Sequence, residues 1–75
     1  MITYIADYPT PAGPARRVFR CIRPYNASAA LRAVERRLAE LGIEGATISR
    51  VPGLTPIVEL EAERFTIEYL HDGLH

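Results

Sequence analysis

Leu31, Val34, Leu38 and Leu41 recur at three- and four-residue spacing, with Ala27 and Ala30 beside them. This is the stripe of one amphipathic helix, and it restricts the fold more than any other feature of the chain. Arg32, Glu35, Arg36 and Glu40 fall on the outer face, and Arg36 and Glu40 have the i,i+4 spacing of a helical ion pair. Asn26 or Ser28 can cap the start, because a side-chain oxygen there accepts from a free backbone N–H. Gly42 predicts a left-handed stop, with Ile43 folding back on the last turn. A lone helix of this length is marginal in water, so its stripe must rest on a sheet.

The remaining segments supply that sheet. Residues 2–8 read as a strand, with Thr3, Ile5 and Asp7 on one face and Ile2, Tyr4, Ala6 and Tyr8 on the other. Residues 9–14 hold three prolines and a glycine, which predicts a turn or short loop outside any ladder. Residues 15–23 read as a second strand, paired back on the first. Arg16, Val18, Arg20 and Ile22 share one of its faces; Arg17, Phe19, Cys21 and Arg23 share the other. Neither face is purely apolar, so some arginines must sit at the sheet margin or lie across apolar surface with their heads in water. Residues 46–51 read as a third strand, closed by Pro52-Gly53. Val58-Glu59-Leu60 and residues 65–69 alternate like strands. A helical reading competes there, with Thr55 as cap, Pro56 at the first position, and Val58, Ala62, Phe65 and Tyr69 on one side. The strand reading is preferred for Thr66-Ile67-Glu68-Tyr69, which suits a half-buried strand.

The expected fold is therefore α+β: one domain (1–75), an antiparallel sheet of four to five strands with one amphipathic helix on one face, ββαββ-like. The expected core is Ile2 or Tyr4, Ile5, Val18, Ile22, Leu31, Val34, Leu38, Leu41, Ile48, Phe65 and Ile67. At 75 residues such a domain buries only about 60% of its unfolded surface. It has little room for an enclosed active-site cavity. A single cysteine, Cys21, forms no intrachain disulfide, which fits a reducing compartment. Neither a signal-peptide pattern nor a membrane-length apolar run is present. The expected location is the cytoplasm.

Charge divides the chain. Residues 1–37 hold seven arginines against Asp7 and Glu35, a balance of +5. Residues 38–75 hold Arg50 and Arg64 against seven acids, a balance of −5. Two oppositely charged surfaces suit docking onto another macromolecule. Arg16, Arg17, Arg20 and Arg23 form the densest basic cluster, near Phe19, Tyr4, Tyr8 and Tyr25. Arginines interleaved with aromatics on a sheet can hold single-stranded nucleic acid. Arg17-Val18-Phe19-Arg20-Cys21-Ile22 resembles the basic-aromatic strand of RNA-recognition sheets, without its glycine and second aromatic. The competing reading pairs these arginines with the acidic C-terminal strands. Glu59, Glu61 and Glu63 would share one strand face with Glu68 further on, as a solvent side or as an acidic stripe that meets a basic partner.

Catalytic signals are sparse. Cys21 inside a strand reads as a small hydrophobe. His71, Asp72 and His75 are too few, and too close to Gly73, for a metal site. No Gly-rich phosphate loop, Ser-His-Asp order or paired CxxC occurs. The expectation is a chain that is not an enzyme and needs no cofactor.

A compact hairpin, a Pro/Gly turn at residues 9–14, a single amphipathic helix over residues 27–41 and uneven surface charge resemble small phage-encoded inhibitors, including anti-CRISPR proteins. The resemblance covers architecture and size, with no residue motif. It implies a small non-enzymatic protein-binding module that docks on a larger host complex, such as a CRISPR surveillance complex or another nucleic-acid-handling machine, in the host cytoplasm. Glu59, Glu61, Glu63 and Glu68 would then cover a basic groove, and Arg16, Arg17, Arg20 and Arg23 would grip an acidic patch. The alternatives are a nucleic-acid-binding accessory protein using the arginine-aromatic strand, and a homodimer joined through an edge strand.

Overall fold

The computed structural model describes residues 2–22, 26–52 and 65–71. Its elements are β1 (Ile2–Thr10), β2 (Gly13–Ile22), α1 (Ala27–Glu40), β3 (Thr47–Val51) and β4 (Phe65–His71). They form a four-stranded sheet in the order β3-β1-β2-β4 with the helix against it, an α+β fold. The second, competing reading of the tail as helix does not hold for residues 65–71, which are strand. The predicted strand at Val58-Glu59-Leu60 lies outside the described residues.

One pairing differs from expectation. β1 pairs antiparallel with β2 and β3, but β4 runs parallel to β2, so the sheet is mixed rather than antiparallel. β2 and β3 therefore point the same way, on either side of β1. Parallel strands need a crossover, and α1 supplies it.

The helix begins where Asn26 Oδ1 accepts from the Ala29 N–H at 2.8 Å. It ends in a Schellman turn: the Ile43 N–H donates to Leu38 O and the Gly42 N–H to Ala39 O. Gly42 holds φ 72°, the left-handed value that favours glycine. The deepest helix positions are Ala30, Val34 and Leu38, spaced i, i+4, i+8. Leu31 packs partly, and Leu41, expected in the core, is 36% exposed because it caps the helix beyond the sheet.

The hairpin ladder runs through the expected turn. Pro9 pairs with Pro14 and Thr10 with Gly13, leaving only Pro11 and Ala12 as the turn. Two facing prolines can exchange no N–H bonds, so each nitrogen points away from the hairpin. On those outer sides the flanking pairings have already ended: β3 stops at Thr47 opposite Asp7, and β4 starts at Phe65 opposite Arg16. Among the described residues no ladder bond is lost, and the hairpin tip extends past the described ends of both neighbouring strands.

β1 and β2 are buried on both faces. Toward the helix lie Tyr4, Ala6, Phe19 and Cys21, with Ile2, Ile48 and Leu70 beside them. On the reverse face Ile5 and Val18 are buried, with Val51 and Ile67 against them. Thr3 and Arg20 are also buried there, and both are engaged rather than free. The question of whether Ile5 or Tyr4 points inward thus dissolves, since both do. Ile22 is only half-buried, and the Phe65 side chain lies outside the described residues.

Candidate interaction surface

The sequence-selected residues have distinct fates. Arg16 sits opposite Asp7 in the hairpin register. Its Nε donates to Asp7 Oδ1 at 2.7 Å and its Nη2 to Asp7 Oδ2 at 3.2 Å, a two-pronged pair at the base of the projecting tip. That hydrogen bond raises the Arg16 pKa; burial acts against it, and the Asp7 charge adds to the rise. Arg17 faces the helix side, where Nη1 donates to Glu68 Oε1 at 3.1 Å. Glu68 Oε2 accepts from Arg37 Nε, so one carboxylate ties β4 to both β2 and α1. This contact raises the Arg37 pKa further from neutrality. Arg37, not Arg36, also takes Glu40, at 3.4 Å with i,i+3 spacing.

Arg20 is only 6% exposed, on the reverse face beside Thr3. A guanidinium that deep is part of the packing, because a buried charge is tolerated only when engaged. Arg23, Glu59, Glu61 and Glu63 lie outside the described residues. The four described members, Arg16, Arg17, Arg20 and Glu68, are therefore tied into the fold and do not converge on one open patch.

The aromatics behave likewise. Phe19 is fully buried under the helix, and the Tyr4 ring is buried with its hydroxyl donating to Ala27 O at 3.4 Å. A base cannot stack on either ring. Cys21 is buried among them, and burial pushes its thiol up to about 11, far from a nucleophilic thiolate at neutral pH. Among the described residues no group of three or more His, Cys, Asp or Glu side chains could hold a metal ion. No helix there is long and apolar enough to cross a membrane.

Among the described residues, the hairpin tip is one part that the fold leaves open. Pro9, Pro11, Ala12 and Pro14 are exposed. The tip is stiffened from within: Thr10 Oγ1 donates to Gly13 O and accepts from the Ala12 N–H at 3.2 Å. Gly13 holds φ 118°, which L side chains rarely adopt. Between the tip and the chain entering β3 runs an open, mostly apolar groove of about 430 Å³. Its described lining comes from Asp7, Tyr8, Pro9 and Pro14 of the hairpin together with Gly45 and Thr47. Gly45 has φ 72°, and the Cβ it lacks would sit 3.9 Å from Pro9 Cδ. Sequence reasoning passed over this groove because Pro9 to Pro14 read as loop. The symmetry of Pro9 and Pro14 about residues 11 and 12 was the available signal, and the same register pairs Asp7 with Arg16.

No family model, curated protein or solved structure matches this chain.

Proposed function

We propose that this chain is a non-enzymatic protein-binding module that docks on a larger complex, in the manner of small phage- or mobile-element-encoded inhibitors. A CRISPR surveillance complex or another nucleic-acid-handling machine is the kind of target that reading implies. The observation that carries it is the stiffened hairpin tip, which extends past the described strands on either side with its prolines exposed. An element already ordered loses little conformational freedom on binding. The reading of β2 as a nucleic-acid platform loses support, since Phe19 and Arg20 are buried.

The test is affinity capture with tagged protein in lysate of the source organism, with and without nuclease, at low and moderate salt. Stoichiometric recovery of a protein complex that survives nuclease is the expected result. Recovery of nucleic acid alone, lost with nuclease or salt, would overturn the reading.

A further inference from the structure

We propose that Pro9 and Pro14 together form a platform on which the partner protein stacks an aromatic side chain. This rests on the protein-binding reading and names what the partner brings. Three observations select that occupant.

The first is placement. Pro9 and Pro14 sit directly opposite each other in the hairpin register. Strand alternation puts both rings on the reverse face, in line with Ile5 and Asp7 on β1 and with Val18 and Arg16 on β2. Facing prolines exchange no N–H bonds, so they make the closer kind of cross-strand pair, with side chains about 4.5–5.5 Å apart. The Ile5 and Val18 side chains further along that line are buried, whereas Pro9 and Pro14 are exposed. Just beyond them the Thr10 hydroxyl fixes the turn. Two rigid apolar rings thus stand side by side in the open.

The second is charge. From Tyr8 to Ala15 the chain carries no charged residue. The nearest charges on the same face, Asp7 and Arg16, already neutralise each other in their two-pronged pair. A charged side chain arriving here would give up water and gain no counter-charge, so the platform favours a neutral one.

The third is the mode of contact. Neither proline has an N–H, so at this level the hairpin's outer edges give a partner strand no donor to pair with. Contact falls on the ring faces instead. Flat aromatic rings are what line the grooves that take proline-rich segments. Tyr and Trp also supply large rigid contact area at little cost in rotamer freedom.

The experiment is an NMR titration of the full chain with the capped peptide acetyl-Ala-Gly-Trp-Gly-Ala-amide, and with the same peptide carrying Leu for Trp. The tryptophan peptide should move the Pro9 and Pro14 ring protons upfield, as ring currents do, and shift the Thr10 and Ala15 amides. The leucine peptide should do neither. Pro9→Thr combined with Pro14→Thr keeps strand-forming residues and should weaken the tryptophan peptide on the order of fivefold or more, read from the same amides. Pro11→Ser, off the platform, should bind as the unaltered chain does and shows that a changed tip still folds. Equal shifts from both peptides, upfield shifts only elsewhere, or an unaffected double variant would overturn the proposal. So would the same shifts arising on raising protein concentration alone, which would make a second copy the occupant. If the double variant captures the same complex from lysate as fully as the unaltered chain, the platform is excluded while the protein-binding reading stands. If the unaltered chain captures nucleic acid alone, that reading falls instead.

Discussion

Cys21 shows how burial decides chemistry one residue at a time. A thiol's ordinary value is near 9.0, and in this fold it rises to about 11 because burial disfavours the thiolate. Below pH 9 both folded and unfolded chains keep the proton, and the stability is whole. Between about pH 9 and 11 only the unfolded thiol ionises, so stability falls, by about 2–3 kcal/mol in all. Denaturant titrations across that range should show the loss, and Cys21→Ala should show less of it. The native thiol should also resist a disulfide reagent at pH 8 and react on unfolding. Glu68 is the second decisive residue. Glu68→Gln keeps the shape but gives up charge-assisted bonds to Arg17 and Arg37. With all three side chains partly exposed, urea unfolding should report a loss of about 1–2 kcal/mol.

The helix and the hairpin differ in how far they could be read from sequence. Helix α1 was legible because it has one covered face, so the Leu31-Val34-Leu38 spacing maps directly onto contact. Its error was at the end: Leu41 continues the spacing but lies past the sheet. Leu38→Ala should therefore cost about 2–5 kcal/mol, and Leu41→Ala under about 1 kcal/mol, by thermal or urea unfolding. β1 and β2 were legible as strands, but not by face. Alternation marks an inward face only when the other face is wet, and Thr3, Tyr4, Ile5 and Ala6 are all buried. The parallel pairing of β4 was not legible either, because it depends on which edge the chain reaches after β3 and leaves no local pattern. The same holds for the candidate site. Asp7 and Arg16 follow from the hairpin register, whereas Arg17 and Glu68, 51 residues apart, meet only through topology.

At the scale of the molecule, the opposed charge of the two halves is partly spent inside. Arg17 and Arg37 from the basic half meet Glu68 from the acidic half, and Arg20 is packed into the reverse face. Charge asymmetry along a sequence is thus a poor guide to charge asymmetry on a surface. What reaches outward in the described structure is the proline-edged hairpin tip beside an open, mostly apolar groove. We propose that docking occurs there. Hydrogen exchange, compared between the free chain and the chain bound to its captured complex, tests this most directly. Slowed exchange at Tyr8, Thr10, Ala12, Gly13, Gly45 and Thr47 is the predicted result. Protection confined to the outer face of α1, around Arg32, Glu35 and Arg36, with the hairpin unchanged, would contradict it.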